Sequence, residues 1–295
     1  MPGLENQASH LHFAGIDIGS TMSKAAVVDA GGSMLAYVVG PTGAEHRLRA
    51  NRVMEDVLAR AGLTLEDIAY IISTGYGRVN VPFADKQVTE LTCHARGVAA
   101  FFPDVRTAID IGGQDAKVLK IRGGRLVDFL TNDKCAAGTG RFLEVAAETL
   151  GLELNEMGRI SLQTDTPVKI NSLCTIFAQQ EIVSRLSEGE ALPDILAGVY
   201  IATATRVVKL ARQLKVEAPV VFTGGVAKNA GMVKAMETVL GVPVLVPEEP
   251  LITGCLGAAI LARDEAFRLI QTGEYDAHRD RKLTEAYVDF GEKTR

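Results

Sequence analysis

Short apolar runs broken by glycine turns set the frame of this chain. Phe13 to Ile18 is an apolar run, Gly19-Ser20-Thr21 a turn, and Ala25 to Asp29 a second run. Gly31-Gly32 then leads into Met34 to Val39. Three strands joined by tight turns are the expectation. From Leu48 to Ala61 the period changes, with Val53, Val57, Leu58 and Ala61 on one face, which predicts a helix. Ile68 to Thr74 reads as a buried strand and Leu91 to Phe102 as a helix. The pattern then starts again: Thr107 to Ile111, Gly112-Gly113, Ala116 to Ile121, Gly123-Gly124, Leu126 to Thr131. Helices are predicted at Arg141 to Leu150, Gln179 to Ser187 and Pro193 to Leu214, where Leu196, Val199, Tyr200, Thr203, Val207, Leu210 and Leu214 form a core stripe. Val220 to Thr223 is a strand, Asn229 to Leu240 a helix, Val242 to Val246 a strand, and Thr253 to Leu269 a closing helix.

Both halves open as strand, Asp-Ile-Gly, then two more strands. An internal repeat of this kind predicts a duplicated fold. The expected architecture is α/β, two similar mixed sheets with helices facing one another across a cleft, each Asp-Ile-Gly turn pointing into it. The boundaries read 1–12 as a polar leader, 13–104 as the first domain and 105–270 as the second. The closing helix packs back on the first domain, and 271–295 is a charged, loosely held tail.

Composition narrows the class. Hydrophobic content of 47 %, 29 glycines and no Trp suit a compact α/β protein rich in tight turns. A net charge of −5 gives no reason to expect nucleic acid as a partner. No apolar run reaches the length of a membrane span, and the start lacks a signal peptide's basic and apolar regions, so a cytoplasmic protein is expected, with no membrane partner. The four cysteines, Cys93, Cys135, Cys174 and Cys255, form no C-x-x-C pair, so no disulfides are expected.

The turns carry candidate chemistry. In Gly15-Ile16-Asp17-Ile18-Gly19-Ser20-Thr21, glycine lets backbone approach a phosphate, Ser20 and Thr21 offer hydroxyls, Lys24 offers positive charge, and Asp17 is placed to hold Mg²⁺ through water. Asp110-Ile111-Gly112-Gly113-Gln114-Asp115 repeats the arrangement, with Gln114 and Asp115 as candidates for orienting an attacking water. A strand-turn-helix at Thr223-Gly224-Gly225-Val226-Ala227-Lys228-Asn229 offers Gly224, Gly225, Val226 and Asn229 to a nucleoside. One D-x-G turn alone is most often an ordinary turn; three such motifs in order in a duplicated chain are not. There is no P-loop signature, and Gly138-Thr139-Gly140 fails the G-x-G-x-x-G pattern because Leu143 stands at the third Gly.

Two thiols stand out. Asn132-Asp133-Lys134-Cys135-Ala136-Ala137-Gly138-Thr139-Gly140-Arg141 reads as strand, tight turn, helix, with Cys135 at or just before a helix N-terminus. That position favours a thiolate. Cys174, in Cys174-Thr175-Ile176-Phe177-Ala178, also stands before a helix. Two thiols hold a metal centre only if another chain supplies the remaining ligands. Cys93, beside His94, and Cys255, among small residues, read as packed thiols. Glu181 and Glu188 read as a solvated face. Tyr76 and Arg78 suit either an ordered loop or a partner contact.

The three turn motifs resemble those of the actin/sugar kinase/heat-shock-protein class of ATPases, which have two duplicated ribonuclease-H-like domains with ATP in the cleft. The Cys135 and Cys174 stretches, with Ser73-Thr74-Gly75-Tyr76-Gly77-Arg78 and Ala84-Asp85-Lys86-Gln87, resemble the BadF/BadG/BcrA/BcrD-type ATPases: activators of 2-hydroxyacyl-CoA dehydratases and ATPase subunits of benzoyl-CoA reductases. The resemblance spans about residues 13 to 265. It implies ATP/ADP with Mg²⁺, and a [4Fe-4S] cluster shared between two subunits with Cys135 and Cys174 as this chain's ligands. The following helices would point their N-termini at that cluster. It further implies a second ATPase subunit (paralogue or identical chain), CoA-ester reductase or dehydratase subunits as partners, and ferredoxin or flavodoxin as electron donor. The extra length beyond the closing helix and the polar leader turn the reading toward a benzoyl-CoA reductase ATPase subunit of the Q type, with a homodimeric dehydratase activator as the alternative. A small-molecule kinase with Asp115 as base, and an ATP-binding scaffold without turnover, are the readings from other classes.

Overall fold

The structure is a computed structural model that describes residues 10–171, 174–276 and 281–283. Most of the polar leader, and residues 277–280 and 284–295 of the charged tail, lie outside the described residues. The chain divides into two compact units, Met1–Gly97 with Gly254–Arg295, and Val98–Thr253.

The first unit is built on β1 (His12–Ile18), β2 (Met22–Val28), β3 (Met34–Pro41), β4 (Ile68–Thr74) and β5 (Lys86–Gln87). They lie in the order β3-β2-β1-β4-β5, with β1 to β3 antiparallel and β1, β4 and β5 parallel. β1 and β4 are apolar along nearly their whole length because both faces are covered. Helix α1 (His46–Ala61) buries Ala50, Val53, Met54, Val57 and Leu58, a stripe at helical spacing, and Gly62 ends it in the left-handed region with its N–H on Ala59 O and Leu58 O. Helix α2 (Glu90–Phe101) follows β5.

The second unit repeats the plan with β6 (Thr107–Ile111), β7 (Ala116–Arg122), β8 (Arg125–Asn132), β9 (Val220–Thr223) and β10 (Val244–Leu245), in the order β10-β9-β6-β7-β8. Each strand matches its counterpart in position and direction. Between β8 and β9, where the first unit has α1, run α3 (Gly140–Leu150), α4 (Leu154–Ser161), α5 (Thr175–Ser187) and α6 (Leu192–Gln213). Helix α7 (Ala230–Leu240) links β9 to β10. The expected stripe on α6 is core, with Leu196, Val199, Tyr200 and Val207 packed among Phe142, Met157, Ile182 and Phe222.

The sequence pattern missed α4 and β5. Both are too short to show a period, and α4 is fixed by packing against α6 and α7. The closing helix α8 (Thr253–Thr272) returns to the first unit through its small residues. A Cβ on Gly15 of β1 would stand 2.1 Å from Cys255 O, and one on Gly257 would stand 1.7 Å from Cys93 O of α2. The tail is held where it is described, against the expectation of a loose segment. Tyr275 Oη donates to Ala69 O (3.1 Å), Arg281 pairs with Asp85 (2.6 Å), and Leu283 packs on the first core. Among the described residues, no helix is long and apolar enough to cross a membrane.

Candidate active site and thiol turns

Asp17, one residue before the end of β1, faces Lys24 of β2 and Thr74 of β4 across the sheet. Lys24 Nζ lies 3.2 Å from Asp17 Oδ2, and both side chains are largely buried. Gly19 N donates to Met22 O (3.1 Å) and closes the turn, leaving Ser20 and Thr21 exposed at its tip. Two glycines distant in sequence wall the carboxylate. Gly75, at φ +86, would place a Cβ 2.3 Å from Asp17 Oδ1, and Gly254 would place one 2.7 Å from Oδ2.

The second hairpin is built the same way. Asp110 of β6 faces Lys117 of β7 and Thr223 of β9. Thr223 Oγ1 donates to Asp110 Oδ1 (2.9 Å). Lys117 Nζ lies 3.8 Å from Asp110 Oδ2 and 2.6 Å from Asp115 Oδ2. Gly112 N donates to Asp115 O (3.0 Å) and closes this turn, with Gln114 exposed on it. Gly224, at φ +85, would place a Cβ 2.3 Å from Ile111 O and 2.9 Å from Asp110 Oδ1. The duplicated frame is therefore Asp17, Lys24, Thr74, Gly75 matched by Asp110, Lys117, Thr223, Gly224. The sequence reading missed Thr74, Gly75, Lys117 and Thr223 as site residues. Two signals could have found them: a Lys seven residues after each Asp, and a Thr-Gly ending each partner strand.

The third motif differs from the expected strand-turn-helix. A 3₁₀ turn, Gly225–Lys228, follows β9, and α7 begins only at Ala230. Asn229 is the N-cap of α7: its Oδ1 accepts from Met232 N, and its Nδ2 donates to Leu154 O and Tyr200 Oη. Its polar groups thus tie α4, α6 and α7 together. Val226 is buried, 3.3 Å from where a Cβ on Gly140 would stand.

The four thiols fall into two classes. Cys93 and Cys255 are fully buried. Burial pushes the Cys93 thiol up to about 12, and pushes Cys255 up further. Cys135 is half-buried and Cys174 exposed. Cys174 is the N-cap of α5, with Ala178 N on its carbonyl (2.8 Å). Asn171, just upstream, gives its N–H to both oxygens of Glu181 (3.0 and 3.1 Å) and its Nδ2 to Oε1. Glu181 therefore anchors the approach to Cys174 instead of standing on a solvated face. Cys135 lies in a turn before α3. Asn132 Nδ2 donates to Cys135 O (3.1 Å) and Ala137 O (2.9 Å), Thr139 Oγ1 donates to Ala136 O (2.7 Å), and Gly138 takes φ +87.

The start of α3 is committed elsewhere than expected. Gly140 N donates to Gly112 O and Arg141 N to Gly113 O, each at 2.8 Å. The first free N–H groups of the helix thus hold the second Asp-Ile-Gly turn and are not offered to the thiol. One turn of chain separates that joint from Cys135. Helices α3 and α5, each preceded by one of the two accessible thiols, pack on one another.

Comparison with known proteins agrees with these features. The model of the BadF/BadG/BcrA/BcrD ATPase family matches residues 14–262. The 2-hydroxyisocaproyl-CoA dehydratase activator of Clostridioides difficile is 47 % identical over 262 residues, covering 87 % of this chain and 96 % of the relative. The solved structure of the activator of the 2-hydroxyisocaproyl-CoA dehydratase from Clostridium difficile, with bound ADPNP, has a TM-score of 0.82 at 46 % identity, over 89 % of this chain and 98 % of the other. A benzoyl-CoA reductase subunit of Thauera aromatica is more distant, 29 % identical over 88 % of this chain and 96 % of the relative. The turn toward a benzoyl-CoA reductase subunit is thereby corrected: it rested on the residues beyond the closing helix, whereas the matched part of the chain is nearer the dehydratase activators. The fold is the duplicated ribonuclease-H-like α/β architecture of that ATPase class.

Proposed function

We propose, for a chain that belongs to the BadF/BadG/BcrA/BcrD ATPase family, that it is the ATP-hydrolysing activator of a 2-hydroxyacyl-CoA dehydratase-type enzyme and passes it low-potential electrons. Each Asp–Lys hairpin is a turn suited to the phosphates of Mg-ATP. Ser20 and Thr21 offer hydroxyl donors, Lys24 offers charge, and Asp17 and Asp110 hold Mg²⁺ through its waters.

Cys135 and Cys174 fit half of a four-thiolate site. They are the two accessible thiols, and no group of three or more His, Cys, Asp or Glu among the described residues is placed to hold a metal within one chain. In this reading a second subunit supplies the other two. Ile176 and Phe177, 65 % and 63 % exposed beside Cys174, are apolar surface that such a subunit would cover. A [4Fe-4S] cluster bound there would supply a low-potential one-electron carrier. Asn132 and Glu181 hold the two thiol-bearing segments in place.

The observation that carries this reading is the joint between chemistry and thiol. The carbonyls of Gly112 and Gly113, in the turn assigned to phosphate, accept the first two N–H groups of the helix that follows Cys135. A shift of that turn on ATP hydrolysis is transmitted to α3 by hydrogen bonds within one unit. An ordinary kinase needs no such link.

Anaerobic purification tests the proposal. The protein should be brown, with about four irons per dimer. Cys135→Ser and Cys174→Ser should each lose that iron, and Cys93→Ser should keep it. Asp17→Ala and Asp110→Ala should suppress ATP hydrolysis and leave iron near normal. Colourless anaerobic protein that phosphorylates a sugar or carboxylate would overturn the proposal.

A further inference from the structure

The duplication gives each hairpin the same frame, so the places where the two copies differ are informative. At the residue that closes the turn, the first hairpin has Met22 and the second has Asp115. In the first, Lys24 Nζ meets Asp17 at 3.2 Å. In the second, the equivalent Lys117 leans away from Asp110, at 3.8 Å, and onto Asp115, at 2.6 Å. Lys117 is only 7 % exposed. A buried ammonium is stable only when paired, so its hold on Asp115 is firm. Gly112 makes the room: a Cβ there would stand 2.7 Å from Asp115 Oδ1. Asp115 therefore lies folded over the Gly112 turn, with Oδ2 fixed by Lys117.

We infer that in the second hairpin Lys117 is a positioning residue that fixes Asp115 over the turn to align the attacking water. This rests on the ATPase reading above. The first hairpin presents hydroxyls at its tip, Ser20 and Thr21, which bind a phosphate but leave no carboxylate there to receive a proton. The second has a carboxylate as its closing residue. A carboxylate left to rotate freely would orient water poorly; one held by an ammonium across a short contact keeps a single direction. Lys117 acts through Asp115.

Steady-state Mg-ATP hydrolysis by the full-length, anaerobically prepared protein tests this role. Lys117→Met should lower kcat about 100-fold and leave KM within about threefold, because it removes an effect needed only in the transition state. Asp115→Asn should do the same, and the double variant should be no worse than either single one. Lys117→Arg should recover part of kcat. Iron content and binding of a fluorescent ADP analogue report whether each variant is folded; if Lys117→Met is not, Asp115→Asn and Lys117→Arg carry the test. Unchanged kcat in Asp115→Asn, or a loss of kcat in Lys117→Met that Lys117→Arg does not recover at all, would overturn the positioning role and leave the ATPase reading standing. A wild-type protein that hydrolyses no ATP would sink both.

Discussion

Single residues here owe their chemistry to depth. Cys93 and Cys135 are both cysteines beside small or polar neighbours, yet burial holds Cys93 as a neutral thiol, pushed up to about 12, while Cys135 and Cys174 reach the surface. Alkylation of iron-free protein at about pH 8 should therefore label Cys135 and Cys174 and spare Cys93 and Cys255 until denaturant is added. Peptide mapping by mass spectrometry reads the outcome, and labelling of Cys93 in the folded chain would contradict its burial. Asp17 and Asp110 were legible in the sequence because the repeat marks them. Lys117 was not, since a lysine in a strand reads as a solvent-facing residue and only its register opposite Asp110 turns it inward. Glu181 was misread for the same reason: its partner Asn171 lies ten residues back, outside helical spacing.

Elements carry the coupling. Helix α3 begins where the second hairpin ends in space, with Gly140 pressed against it. A Cβ on Gly140 would stand 3.0 Å from Gly112 O, 3.2 Å from Gly113 Cα and 3.3 Å from Val226 Cγ2. Gly140→Ala should force the joint apart by a few tenths of an ångström. The expected result is near-normal iron and ATP hydrolysis with electron delivery to the partner enzyme reduced about tenfold or more, measured as partner activation per ATP hydrolysed. An unchanged ratio would show that the joint does not transmit. The period of the sequence foresaw α3 almost to the residue. Helix periodicity fixes which face is buried; it does not say what the first N–H groups bind.

At the scale of the whole molecule, the first unit is completed by chain from the far end of the sequence. Helix α8 packs on β1 through Gly15, and beyond it Tyr275 and Arg281 satisfy the outer edge of β4, with Arg281 bonded to Ile68 O and Ala69 O as well as to Asp85. Asp85 in turn accepts from Ile71 N (2.7 Å). The tail covers an edge that β5 is too short to protect. Arg281→Ala breaks a buried pair and should cost about 3 kcal/mol, read as a fall in the urea midpoint. A loss within error would mean the tail is only resting there. The sequence by itself determined the duplication, the strand and helix order, the two Asp-Ile-Gly turns and the thiol stretches, because each is written in neighbouring residues: apolar period, glycine at turns, motif spacing. Tertiary structure alone decided that Gly75 and Gly254 wall Asp17, that α3 grips the second Asp-Ile-Gly turn, and which cysteines stay accessible. Those are contacts between residues tens to hundreds of positions apart, and local pattern has no term for them.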